Sequence, residues 1–141
     1  MTMIYKNRHA AFNLHVHLVF ITKYRRKVLS EVHHAYFSEC VAEVCKSFDA
    51  ELKECNGEAD HIHMLIQYSP TVQISTLVNN LKSVTSRRMR SNFIDLRAAY
   101  SKPVLWSRSY FAGSCGGAPL DIIKQYIQNQ QGLYLRNSPP P

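Results

Sequence analysis

Two short segments of this chain carry residue types that can do chemistry. The first is Asp60-His61-Ile62-His63-Met64-Leu65-Ile66. Its alternation reads as a strand, and strand side chains two residues apart leave the same face ~7 Å apart, so His61 and His63 can converge on one ion. The second is Tyr126-Ile127-Gln128-Asn129-Gln130, set in a helical run. Tyr126 and Gln130 are four apart and share a helical face, with Ile122, Ile123 and Ile127 left for packing. Two imidazoles and the amide oxygen of Gln130 make a mixed, open donor set. Such a set suits Mg²⁺ or Mn²⁺ and leaves positions for phosphate oxygens and water. A tyrosine hydroxyl, with an ordinary pKa of ~10, can attack phosphorus once a cation draws charge away. The covalent phosphotyrosine so formed conserves the energy of the broken bond for rejoining. The pattern therefore points to breaking and rejoining a nucleic-acid strand.

Each half of this reading is weak alone. A second His-x-His stands at His15-Val16-His17, and spacing does not choose between the pairs. Either pair also fits ordinary strand histidines, and Tyr126 also fits a helix–sheet contact. No G-x-S-x-G, Walker loop or paired-carboxylate cluster competes. The four cysteines, Cys40, Cys45, Cys55 and Cys115, form no C-x-x-C pair. A disulfide or zinc role is not expected, and Cys40 and Cys45 read as small buried hydrophobes on a helix.

The 141 residues suffice for one domain with its own core. Seventeen Lys and Arg against ten Asp and Glu give +7. That excess reads either as solubility charge or as the footprint of a polyanion, nucleic acid before membrane. The basic residues are clustered, in Lys23-Tyr24-Arg25-Arg26-Lys27 and Arg87-Arg88-Met89-Arg90, which favours the polyanion. Lys23, Arg25, Arg26, Lys27, Lys82, Arg87, Arg88 and Arg90 are the candidate phosphate contacts. Tyr68, Phe93 and Tyr110 fit either base stacking or the core. No apolar run reaches the ~18–20 residues of a membrane span, and the first residues lack the apolar core of a signal peptide. A cytoplasmic location is expected.

The elements that must position these groups follow from periodicity. Residues 13–22 read as a strand, and Ser30 as the cap of a helix reaching Phe48 with Phe37, Val41, Val44, Cys45 and Phe48 as its stripe. Residues 51–57 read as a strand ending at an Asn56-Gly57 hairpin turn, and 60–68 as the next strand. Thr71 opens a second helix with Ile74, Leu77, Val78, Leu81 and Val84 inward, and 104–112 form a fourth strand. The order β-α-β-β-α-β plus one helix predicts an α+β, ferredoxin-like fold with an extra C-terminal catalytic helix. In this single domain, 12–112 form the core and 113–118, around Gly116-Gly117, a hinge. Residues 119–131, with Pro119 in the first turn, form the tyrosine helix, and 132–141 a flexible tail.

Three segments carry a resemblance: 23–29, 60–65 and 116–130. In this order and spacing they closely resemble the HUH single-tyrosine transposases of the insertion-sequence-200/605 type, over about residues 12 to 131. The resemblance implies that His61 and His63 are the metal pair, Gln130 the third ligand and Tyr126 the nucleophile. His17 matches a first-strand histidine outside that pair. It implies a homodimer with sheets joined edge to edge, in which one subunit's tyrosine helix completes the other's site. It implies cleavage and rejoining of single-stranded DNA at element ends, with a 5′-phosphotyrosine, a free 3′-OH and recognition of imperfect hairpins. Ser114-Cys115 departs from the Thr-Val that often precedes the paired glycines, a change between small residues. Two rivals remain. A relative that processes chromosomal repeated hairpins would share the chemistry. A catalytically silent single-strand binder would share the fold, but the presence of all four predicted catalytic residues argues against it.

Overall fold

The computed structural model describes residues 5–6 and 11–114. A minimal pair, β1 (Tyr5–Lys6) and β2 (Ala11–Phe12), precedes β3 (Leu14–Thr22). Then come α1 (Glu31–Ser47), β4 (Ala50–Gly57), β5 (His61–Tyr68), α2 (Ile74–Asn92), the short α3 (Ile94–Ala98) and β6 (Trp106–Ser114). The four longer strands form one sheet in the order β4-β5-β3-β6, every neighbouring pair antiparallel. This is the expected ferredoxin-like α+β arrangement. The tyrosine helix and the tail lie outside the described residues, as does the hinge beyond Ser114. Gly113 and Ser114, expected to open that hinge, instead continue β6, where they pair with His17 and Val16.

The period of two sorts the central strands. Val16, Leu18 and Phe20 on β3 face Ile66, Met64 and Ile62 on β5, and all six are buried. Each such burial contributes ~1.5–3 kcal/mol. Against them sit Phe37, Val41, Val44 and Cys45 of α1 and Leu77, Val78 and Leu81 of α2. The expected Phe48, Ile74 and Val84 pack at the margin of this core. Phe20, Phe37 and Trp106 form its aromatic centre, with Trp106 5.5 Å from each of the other rings. The Trp106 indole N–H donates to Thr85 Oγ1 at 2.9 Å, which ties β6 to α2.

The structure corrects three local expectations. Thr71 does not open α2. Its hydroxyl pairs with that of Ser69 in the preceding turn, and the helix starts at Ile74 after Gln73. Gly57 is not in a turn. It is a strand residue opposite Ile62, and the turn is Glu58–Asp60. Its glycine identity answers to space: a Cβ there would lie 2.3 Å from the His61 carbonyl oxygen and 2.8 Å from Ile62 Cα. The helix α3 is an addition to the expected order, because five residues are too few to show a helical period. Phe93, at its start, packs edge-on against His33 and Tyr36. Among the described residues no helix is long and apolar enough to cross a membrane.

Candidate active site

The face of the sheet opposite α1 and α2 collects the histidines. On β5, His61 and His63 project there, half-buried, while Ile62 and Met64 point into the core. Register places His61 beside Ile21 and His63 beside Val19 on β3. The next rows hold His17 with Leu65, then His15 with Gln67. Both His-x-His pairs thus share one face, in successive rows. Val19 and Ile21 are themselves buried, with Phe111 packed against them, so the ground between His61 and His63 is apolar.

The two pairs differ in their surroundings. His61 Nδ1 lies 2.9 Å from Asp60 Oδ1. Asp60 in turn accepts from Arg25 Nε at 2.8 Å, and its backbone oxygen accepts from Thr22 N at 3.0 Å. Burial alone would raise the Asp60 carboxyl, but hydrogen bonds from His61 and Arg25, with the Arg25 charge, hold it below the usual range. A carboxylate fixing one imidazole nitrogen leaves Nε2 as the free donor atom, the usual support for a metal-binding histidine. Burial, then the charges of His61 and His17, lower the His63 pKa, against a weaker opposing pull from Glu54 and Glu58. His63 is therefore a neutral base at neutral pH, as coordination requires. His15 is also lowered, by burial and then by Lys53 and His17. Its charged neighbour is a cation, which repels a divalent ion.

His61 and His63 therefore suit a divalent cation in donor chemistry and electrostatics. Among the described residues no three His, Cys, Asp or Glu side chains group closely enough to hold one. The donor set needs a ligand from elsewhere. Tyr126 and Gln130 lie outside the described residues.

The basic candidates divide by use. Arg25 serves Asp60. Arg26 donates to the Ala99 carbonyl. Lys82 donates to the carbonyls of Ser107 and Arg108 at 2.7 and 2.8 Å. Arg88 pairs with Glu43, and Arg90 reaches Ser86 Oγ at 3.1 Å. Lys27 and Arg87 are exposed, and Lys23 is half-buried. Tyr68, Phe93 and Tyr110 all pack against the core, and Lys82 lies over the Tyr110 ring. Sequence reasoning assigns Asp60 no role, although its place directly before His61 is the available signal. Cys40 and Cys45 are buried as expected, and burial pushes the Cys45 thiol up to about 12.

Comparison with known proteins gives a consistent result. Residues 10–130 match the family model described as "Transposase IS200 like". The chain is 29% identical over 122 residues to the transposase for insertion sequence element IS200 of Salmonella typhimurium, covering 86% of this chain and 80% of that protein. It is 26% identical over 125 residues to the ISDra2 transposase TnpA of Deinococcus radiodurans, covering 89% of each. A crystal structure from Deinococcus radiodurans, described as a transposase, superposes with a TM-score of 0.81 at 29% identity over 89% of this chain and 97% of that one. A REP-associated tyrosine transposase bound to a REP hairpin shares the fold, with a TM-score of 0.54 at 9% identity over 97% of this chain and 76% of that one.

Proposed function

The chain belongs to the IS200-like transposase family, and from that premise we propose that it cuts and rejoins single-stranded DNA at the ends of an insertion sequence, with Tyr126 as nucleophile. The observation that carries this reading is the His61/His63 pair on the open face, with His61 oriented by Asp60 and Arg25. His61, His63 and Gln130 would hold Mg²⁺ or Mn²⁺, which supplies positive charge against the scissile phosphate. Asp60 keeps the His61 ring in one orientation and His63 stays unprotonated, so each keeps a ring-nitrogen lone pair for the cation. The Tyr126 oxygen bonds to phosphorus as the bond from phosphorus to the 3′ oxygen breaks. The phenolic proton is released and the 3′ oxygen leaves as a hydroxyl. The 5′-phosphotyrosine retains the bond energy, and attack by a 3′-OH reverses the step and rejoins a strand.

The proposal includes the imperfect hairpins near the element ends and a homodimer. The strands β4 and β6 are the two sheet edges among the described residues, and either offers unpaired backbone groups for an edge-to-edge junction. The proposed hinge at Gly116-Gly117 would let one subunit's Tyr126 serve its partner's histidines. Incubation with single-stranded element ends and Mg²⁺ or Mn²⁺, followed by denaturing electrophoresis, tests the reading. A covalent adduct is expected with the parent chain and none with Tyr126→Phe, which still binds the DNA. An adduct persisting in Tyr126→Phe, or equal cutting of perfect duplex, overturns it.

A further inference from the structure

Beside the histidine face, the residues after β3 build a second feature that the cutting reaction leaves unused. Tyr24 and Arg25 are consecutive non-glycine residues in the left-handed region, with φ of 59° and 53°. Such conformations cost energy and persist only where the surroundings over-determine them. Here Lys23 N donates to Leu105 O at 2.7 Å, Thr22 Oγ1 to Arg26 O at 2.7 Å, and the Tyr100 hydroxyl to Lys23 O at 2.8 Å. The result is a divergence of neighbours. Arg25 turns to Asp60 and so supports His61. Arg26 turns the other way, to the Ala99 carbonyl and over the neighbouring rings of Tyr24 and Tyr100, at 5.4 and 4.9 Å from their centroids.

That second side is a cavity of about 370 Å³. Four cations line it, Lys23, Arg26, Lys102 and Arg108, with the rings of Tyr24 and Tyr100 in its wall and, among the described residues, no carboxylate. Lys102 and Arg108 are exposed at its mouth. Lys82 stands near Lys23: burial and then the Lys23 charge lower its pKa. A cavity this size falls in the ~300–1,000 Å³ range of small-ligand sites and is too small for a duplex.

We propose that this cavity binds one nucleotide of the single strand, a neighbour of the nucleotide being cut. Its phosphate is held by Lys23, Lys102 and Arg108 and its unpaired base lies against Tyr24. Arg26 is a positioning residue, spent on Ala99 and the two rings. Because Arg25 and Arg26 are adjacent in one pinned turn, the pocket and the histidine support are fixed relative to each other. The strand's position over His61 is then set by an anchor that reads no base. The proposal rests on the transposase reading for the identity of the strand.

The test is fluorescence anisotropy of a labelled oligothymidylate titrated with the full chain at several salt concentrations. The Lys102→Ala/Arg108→Ala double variant changes only exposed side chains, and thermal melting confirms that it folds. Its affinity should fall about tenfold or more, as removal of charged hydrogen bonds implies. Its salt slope should drop by ~0.7 for each phosphate left without its cation. Lys46→Ala, an exposed cation at the end of α1, should bind within about twofold of the parent, since surface charges far from a strand contribute little. Parent-like affinity in the double variant, or an equal fall in Lys46→Ala, overturns the pocket. Competition by thymidine monophosphate as effective as by the oligonucleotide overturns the strand as occupant in favour of a free nucleotide. Adduct formation in the same preparations separates the two readings. Absence of any Tyr126-dependent adduct in the parent fails the transposase assignment while leaving the affinity result in force.

Discussion

His15/His17 and His61/His63 have the same spacing, lie on the same face of one sheet and occupy adjacent strands. They differ in what stands behind them. His61 has a buried carboxylate on its Nδ1, braced by Arg25, and His63 has Glu54 and Glu58 in electrostatic range. His15 has Lys53. Two imidazoles on a strand are common, and a carboxylate that fixes one of them, with acidic neighbours to balance a cation, is what favours His61/His63 over His15/His17 as the candidate pair. The physical grounds lie in these neighbours and not in the His-x-His pattern.

The comparison can be broken most sharply by deletion. His61→Ala or His63→Ala should remove several kcal/mol of transition-state stabilisation, about a thousandfold in cleavage rate, while His15→Ala keeps most of the activity. Single-turnover cleavage of end-labelled single strands measures both. Next in size is Asp60→Asn, which keeps the shape and removes the charge. Cleavage should fall about 10–100-fold and recover in part at raised Mn²⁺. A loss that no metal concentration relieves would place Asp60 in folding instead. Gly57→Ala touches one pair only, because its Cβ would displace the His61 backbone. It should cost ~1–3 kcal/mol, read as a lowered melting temperature, with cleavage impaired even where the protein is folded. The smallest effect belongs to His17→Ala. It removes an electrostatic neighbour of His63, and neighbours of that kind are worth ~0–1 kcal/mol, about fivefold in rate at most.

Most of the fold is legible in the sequence because its signals are periodic. Ile62, Met64 and Ile66 against His61, His63 and Leu65 define both the strand and its buried face, and Phe37, Val41, Val44 and Cys45 define α1. What escapes is set by tertiary space. Asn56-Gly57 looks like a turn because glycine is common there, whereas Gly57 is required by the approach of the His61 carbonyl. β6 runs on through Gly113 and Ser114 because β3 supplies hydrogen-bond partners that no local propensity reveals. At the site, the histidines are visible as a pair of pairs, but their ranking depends on contacts across the sheet. Arg25 is far from Asp60 in sequence and reads there as one more phosphate contact. Arg26 and Lys82 read the same way, although their donors are directed to carbonyls of Ala99, Ser107 and Arg108. Lys102 and Arg108 stand outside the charge clusters and carry no sequence signal, yet they line the cavity beside the site.

The central claim is that His61/His63, and not His15/His17, serve the tyrosine. Its most direct test is adduct formation on single-stranded element ends with Mn²⁺, compared on one denaturing gel for the parent, Tyr126→Phe, His61→Ala and His15→Ala. The account predicts a shifted, covalently joined band in the parent and in His15→Ala, and none in Tyr126→Phe or His61→Ala. A band in Tyr126→Phe, or one that vanishes with His15 and survives the removal of His61, would contradict it.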